Sequence, residues 1–396
     1  MANKDRQMST FTDLLKSEIQ LFIKDYQGVT TDLLLKSNVF TEVTNKELVQ
    51  QIQGRRVAAK KLPFLLREGI IYPKNLSLEQ ASSEATARYK AQELRGKRFA
   101  DLTCGLGIDA YFLSEPFEEV TLVEEQSELL SIVQHNWEVL GRKATFVNKK
   151  AEAFLADTSQ RYDVLYLDPA RRDTQQQKKF LLEDLSPNIL ELQELLLKKS
   201  AKVITKLSPL IDIHYLLNIL NKVARIEVIA LRNEVKEVLV IQEPHSVIDE
   251  VVIRCINLES EDPILSFTNR ELSASEVIYS SPKSYLYIPN NALLKSGAFN
   301  YIAMYFGLEK LDINTHLYTS VELEKPFPGR ILEVTPIHHK QIKAKSHYNI
   351  IAKNYPLSVA ELKKKYHLQE GGTDYLIFTR SVSGMEILLG KEQNNI

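Results

Sequence analysis

Apolar residues recur at helical spacing from the start of the chain: Leu14, Leu15, Ile19, Phe22 and Ile23, then Leu33, Leu34 and Leu35 beside Val39. A second helical stretch is predicted over 48–66, and a third over 77–94, with Ser77 and Gln80 spaced as a capping box. From about 97 the pattern changes. Short apolar runs at 99–102, 120–123, 144–147, 162–167 and 201–204 end in turn residues. Helical patterns separate them, over 126–140 and 178–197, with another at 210–223. Strand and helix in alternation predict a parallel sheet covered on both faces. The runs 226–231, 238–241 and 251–256 have no helix between them, which predicts an antiparallel edge.

Two punctuation points follow, Glu259 to Pro263 and Pro326-Phe327-Pro328-Gly329. Strands are predicted at 285–288, 317–321, 331–334, 348–352, 375–379 and 385–389, and helices at 291–306 and 358–366. The expected fold class is α/β: a Rossmann-like sheet at 96–260 behind a helical N-terminal region at 1–95. Two small α+β units are expected at 275–322 and 326–396.

The chain has 396 residues, 44% hydrophobic and 26% charged, which excludes a mainly disordered or fibrous protein. Its formal charge of −1 requires any nucleic-acid surface to be a local patch. The two cysteines, Cys104 and Cys255, lie far apart, so neither a zinc site nor a disulfide framework is expected. The charged start has no signal-peptide core, and no apolar run is long enough to span a membrane. These features predict a soluble cytoplasmic protein without a metal.

The densest chemistry follows the first strand of the sheet, in Asp101-Leu102-Thr103-Cys104-Gly105-Leu106-Gly107-Ile108-Asp109-Ala110. Gly105 and Gly107 with Ala110 fit a dinucleotide fingerprint loosely. A carboxylate four residues before Gly105 would repel a pyrophosphate and attract a cationic amino-acid group. S-adenosylmethionine (AdoMet) carries such a group and no phosphate. Glu124, ending the second strand, is spaced to grip ribose hydroxyls, with Glu125 the one-residue alternative. Ala151 and Glu152, beyond the third strand, stand where an adenine edge would be recognised. Asp101, Thr103, Gly105, Gly107, Asp109, Glu124, Ala151 and Glu152 are therefore the candidate cofactor residues.

The fourth strand ends in Asp168-Pro169-Ala170-Arg171-Arg172-Asp173. The glycine loop with Val123-Glu124 and this segment resembles the class I AdoMet-dependent methyltransferases, especially those acting on nucleic acids. The stretch from Glu79 to Ala91 is similar to a bacterial branch of that class with a ferredoxin-like insert and a THUMP-like C-terminal domain. Phe327-Pro328-Gly329-Arg330, Asn354-Tyr355-Pro356-Leu357 and Glu370-Gly371-Gly372 match its later landmarks. The resemblance covers about residues 70–395. It implies a seven-stranded sheet, AdoMet as cofactor and an RNA substrate, tRNA or rRNA. It also implies that Asp168 and the Pro169 carbonyl accept the hydrogens of a target amine. Ala170 and Arg171 depart from the Asp/Asn-Pro-Pro-aromatic pattern of amino-methyltransferases, which leaves the target atom open. Arg171 is a candidate phosphate contact. Lys206 could shape the substrate pocket or simply precede a helix.

Between His338 and Tyr366, seven lysines face a single acid, Glu361. Lys340, Lys343, Lys345, Lys353, Lys363 and Lys364 are the candidate RNA contacts, with Tyr348, Tyr355 and Tyr366 interleaved for stacking. Arg55, Arg56, Lys60, Lys61 and Arg67 could form a second contact. The rival readings are a methyltransferase for DNA, protein or a small molecule, and a non-catalytic RNA-binding protein retaining the fold.

Overall fold

The computed structural model describes residues 12–73, 81–171, 181–247, 249–274 and 276–393. The Ser77–Gln80 capping box, Arg172 and Asp173 lie outside them. Contacts divide the chain into two units: Met1–Lys206 with Ile241–His245, and Leu207–Val240 with Ser246–Ile396.

In the first unit, helices α1 (Ser17–Asp25), α2 (Thr30–Leu34) and α3 (Asn45–Lys61) bring Ile19, Ile23, Leu33, Leu48 and Ile52 into one apolar cluster. Thr44 starts α3 through a capping box. Its side chain accepts from the Glu47 N–H while the Glu47 carboxylate accepts from its own. Helix α4 (Glu84–Ala91) then leads into β1 (Arg98–Asp101), with Ser83 as its cap. The remaining elements are α5 (Ile108–Leu113), β2 (Glu119–Val123), α6 (Ser127–Val139), β3 (Thr145–Val147), α7 (Ala151–Asp157) and β4 (Tyr162–Leu167). After these come β5 (Ala170–Arg171), β6 (Leu185–Ser186), α8 (Ile189–Lys199) and β7 (Ser200–Leu207).

The strands lie in the order β7-β4-β1-β2-β3, all parallel. Strand order reverses between β1 and β4, the place where open α/β sheets bind ligands at their carboxyl ends. Ala100, Leu102, Val123, Leu165, Leu167 and Val203 form the buried layer beneath that crevice. Helix α8 starts later than its apolar pattern suggests. Pro187 lacks an N–H, and the Asn188 side chain caps the Leu190 and Glu191 amides, so the first turn is fixed at Ile189.

The second unit carries α9 (Ile213–Ile219), β8 (Val223–Leu231), β9 (Glu234–Gln242), β10 (Val252–Leu258) and β11 (Leu265–Thr268). The expected antiparallel ending is corrected in one respect. Strand β10 runs parallel to β8, with Ile253 opposite Ile226 and Cys255 opposite Val228, so their buried faces coincide. Only β11 then runs antiparallel against β10.

The C-terminal part carries both expected α+β segments, joined through their strands. Strands β12 (Tyr285–Pro289), β13 (Glu309–Asp312), β14 (Thr315–Ser320), β15 (Gly329–Pro336), β16 (His347–Ala352), β17 (Gln369–Ser381) and β18 (Gly384–Glu392) form one sheet. Its order is β13-β14-β12-β15-β18-β17-β16. The two α+β segments share this sheet because β12 pairs with β15, which places Leu286 opposite Leu332. Leu286, Leu311, Leu317, Leu332, Ile377 and Leu388 fill one core contributed by both. The long helix expected over 291–306 is two, α10 (Asn291–Ser296) and α11 (Phe299–Tyr305), separated by Gly297 at φ +76°. Helix α12 (Val359–Tyr366) is capped by Ser358.

Candidate active site

Asp101 ends β1 and is almost fully buried, at 2% exposure. Its Oδ1 accepts the Thr103 N–H at 2.9 Å, while Thr103 Oγ1 accepts the Asp168 N–H at 2.6 Å. This one threonine ties the carboxyl ends of β1 and β4 together. Burial pushes the Asp101 carboxyl up to about 8, with the Asp109 and Asp168 carboxylates adding to the rise. Without a ligand, Asp101 is therefore mostly protonated at neutral pH, and not the bare anion that the sequence suggests. An arriving cation would favour its ionised form.

The bend after β1 needs both glycines, for different reasons. Gly105 has φ +52°, and a Cβ there would meet nothing closer than the Thr103 carbonyl at 3.8 Å. Gly107 has φ +67°, and a Cβ there would fall 2.7 Å from Trp137 Nε1 and 3.0 Å from Val133 Cγ1. One glycine leaves room in front of the loop, and the other lets the loop pack on α6.

Glu124 directly follows β2 and is buried, whereas Glu125 is exposed, and both line the cavity described below. Glu124 Oε2 accepts the Gly105 N–H at 3.0 Å and its Oε1 the Gln126 N–H at 2.9 Å. Burial raises its pKa, against those two bonds. Lone pairs remain on both oxygens for hydroxyl donors.

Asp109 takes a different place from the one expected of a cofactor ligand. It lines the cavity, but its carboxylate is the hub of a buried ion network. Lys90 Nζ lies 2.8 Å from Oδ1, and Lys206 Nζ lies 3.3 Å from Oδ2. Ser82 Oγ and Tyr166 Oη each donate to Oδ2 at 2.8 Å. Burial works to raise the Asp109 pKa, but the Lys90 and Lys206 cations outweigh it and hold the group well below the usual carboxylate range. Asp109 is thus committed to the wall, because a buried carboxylate with these partners has little capacity left for a ligand.

Lys206 also pairs with Asp168 Oδ2, and the Asp168 side chain remains 40% exposed. Asp101, Thr103, Gly105, Asp109, Glu124, Ala151, Glu152, Asp168 and Lys206 all line a single cavity of about 540 Å³. That volume suits a small-molecule site. Pro169 is buried, and Arg171 stands exposed in β5 opposite Leu185; among the described residues neither belongs to the cavity wall. Ser82, Lys90 and Tyr166 were not singled out by sequence reasoning, and Lys206 only as a shaper of the pocket. Position at a strand end, next to the strand of Asp168, was the available signal for Lys206.

Cys104 is buried, and burial pushes its thiol well above the ordinary range. Among the described residues no group of His, Cys, Asp and Glu could hold a metal ion, and no helix is long and apolar enough to cross a membrane.

The candidate RNA lysines sit in the second unit. Lys340, Lys343, Lys345, Lys353 and Lys364 are exposed, whereas Lys363 is half-buried and ion-paired with Glu370. The interleaved tyrosines are packing groups: Tyr348, Tyr355 and Tyr366 join the cluster around Leu362 and Phe378. Ring centroids of Tyr355 and Tyr366 lie 5.4 and 5.8 Å from that of Phe378. In the N-terminal basic group, Arg56 donates to the Tyr26 and Gly28 carbonyls at 3.2 and 2.8 Å, bracing the turn after α1.

Comparison with known proteins gives three family matches: a conserved hypothetical protein 95 model over 83–213, a ferredoxin-like domain over 285–328 and a THUMP-like domain over 330–391. An uncharacterized S-adenosylmethionine-dependent methyltransferase of Mycobacterium tuberculosis, matched in strains CDC 1551 and H37Rv, is 29% identical over 161 residues. The alignment covers 41% of this chain and spans 43% of the length of those relatives. The crystal structure of a candidate methyltransferase from Porphyromonas gingivalis W83 is 31% identical, with a TM-score of 0.85. It covers 95% of this chain and 98% of that one. With the glycine bend, Glu124 and Asp168 at successive strand ends, these matches show that the chain belongs to the class I AdoMet-dependent methyltransferases with a ferredoxin-like insert and a THUMP-like C-terminal domain.

Proposed function

We propose that this chain transfers a methyl group from AdoMet to a base in structured RNA, tRNA or rRNA. The observation that carries the reading is Asp101, a buried carboxyl at a parallel strand end, in one cavity with Gly105, Glu124 and Asp168. The residues fit the cofactor on this structure's own geometry, because the space over Gly105 is open and the donor set is one acid per cationic or hydroxyl group. Asp101 and the Gly105 bend would hold the methionine end, Glu124 the ribose, and Ala151 with Glu152 the adenine. When bound there, AdoMet supplies an electrophilic methyl group. What the chain itself contributes is placement. Asp168 accepts a hydrogen of the nucleophile, and orientation accounts for most of the rate.

A cysteine nucleophile is disfavoured, because the buried thiol of Cys104 is held protonated. RNA as substrate is supported by the THUMP-like match and by the exposed lysines at 340, 343, 345, 353 and 364. Mass spectrometry of tRNA and rRNA nucleosides from a deletion strain tests this reading. A methyl group missing from one nucleoside, restored by the wild-type chain and not by Asp168→Ala, is expected. Unchanged nucleosides in both RNA classes would refute RNA as substrate and point to DNA, protein or a small molecule.

A further inference from the structure

The ion network beneath the cavity has a feature that the proposed reaction does not use. Lys206 Nζ donates to Ser82 Oγ at 3.1 Å and to Asp109 Oδ2 at 3.3 Å, and its third contact is Asp168 Oδ2. An ammonium has three donors, so this one is fully committed. Two of its partners are themselves fixed, since Lys90 Nζ donates to Ser82 Oγ at 3.0 Å and Tyr166 Oη donates to Asp109. The Lys206 side chain is 12% exposed. Asp168 is held differently at its two oxygens. Oδ2 is clamped, and among the described residues Oδ1 has no hydrogen-bond partner while the side chain opens on the cavity.

We propose that Lys206 is a positioning residue for methyl transfer: it clamps one oxygen of Asp168 and so presents the other to the substrate in one fixed direction. The inference rests on the proposed role of Asp168 as the acceptor of the nucleophile's hydrogen. A carboxylate with one oxygen clamped can accept only from the other side, so it takes one N–H in one direction. Asp101 at the end of β1 and Asp109 on α5 line the same cavity as Asp168. Lys206 from β7 is the cation in contact with it, while Lys90 from α4 contacts Asp109. Thr103 and Tyr166, the neutral groups on neighbouring elements, contact the Asp168 N–H and Asp109 respectively.

Two variants test this. Lys206→Met leaves Asp109 paired with Lys90, so the buried carboxylate keeps a partner, and Lys206→Arg retains the charge. The direct readout is the crystal structure of each variant: Asp168 is expected to keep its rotamer in Lys206→Arg and to leave it or split between two in Lys206→Met. Methyl transfer to RNA in a single turnover should fall by about 100-fold in Lys206→Met and be largely restored in Lys206→Arg, while S-adenosylhomocysteine affinity stays within about twofold, because the lysine acts on Asp168 and not on the cofactor residues. An Asp168 side chain unmoved in Lys206→Met, or an undiminished rate in that variant, would overturn the proposal. The crystal structures need no substrate. A displaced Asp168 in a chain that methylates nothing would therefore leave the clamp standing and refute the proposed function instead.

Discussion

Replacing each glycine of the bend by alanine separates the two jobs that the loop performs. In Gly107→Ala the left-handed backbone at φ +67° costs roughly 1–2 kcal/mol for an L residue. The new Cβ would also stand 2.7 Å from the indole nitrogen of Trp137 and 3.0 Å from Val133, both 1% exposed and unable to move aside. Overpacking of that kind adds about 1–3 kcal/mol, for a total loss of about 2–5 kcal/mol. In Gly105→Ala only the backbone cost of roughly 1–2 kcal/mol applies, because the Cβ points into open space. That space is where the cofactor would lie, so S-adenosylhomocysteine affinity should fall by about tenfold or more, a loss of about 1.4 kcal/mol. Urea unfolding followed by fluorescence reports on this site directly, since Trp137 is the only tryptophan in the chain. Equal destabilisation by the two substitutions, or full cofactor affinity in Gly105→Ala, would refute the geometry on which the cavity is argued.

The ion network gives further expectations. Asp109→Asn removes the carboxylate that the buried Lys90 and Lys206 ammonium groups share and should destabilise the fold by about 3–5 kcal/mol, read by urea unfolding. Because the Asp109 pKa is lowered in the fold, its contribution is present above the unfolded value of about 4 and is lost as pH falls through the folded one, so the penalty of Asp109→Asn should shrink in acid. Asp101 behaves oppositely: its folded pKa of about 8 lies above the unfolded value, so ionising it costs stability. Stability should therefore fall by about 1.4 kcal/mol per pH unit between roughly pH 5 and 7 from this group, and Asp101→Asn should flatten that decline in denaturation curves. In the second unit, changing Lys343, Lys345 and Lys364 to glutamine should reduce the slope of log affinity against log salt for RNA by about 0.7 for each phosphate no longer neutralised. An unchanged slope in filter binding would remove those lysines from the interface.

The sequence revealed those parts of the site that are local. Asp101, the glycine bend and Glu124 stand at the ends of short apolar runs, and a parallel sheet brings such ends together whatever the details of packing. The place of Asp109 in the ion network was not legible, because it depends on Lys90 and Lys206, which come from another helix and another strand and have no spacing in common with it. Lys90 drew no attention within the stretch from Glu79 to Ala91, yet the fold puts its side chain at 0% exposure. The tyrosines at 348, 355 and 366 show the same limit in reverse. Interleaved with lysines, they suggested stacking on bases, yet Phe378 on β17 draws two of them into a core. Likewise, the pairing of β12 with β15 that merges the two C-terminal segments is a long-range register with no trace in local periodicity.

The central claim is that a buried acid at the end of β1 receives the charged end of AdoMet. Titration calorimetry of the intact chain with S-adenosylhomocysteine at pH 7, in two buffers of different ionisation heat, tests it most directly. With the Asp101 pKa at about 8, binding is expected at one site with release of close to one proton, and Asp101→Asn should weaken binding and abolish the release. No heat at millimolar ligand, or proton release that persists in Asp101→Asn, would contradict the account.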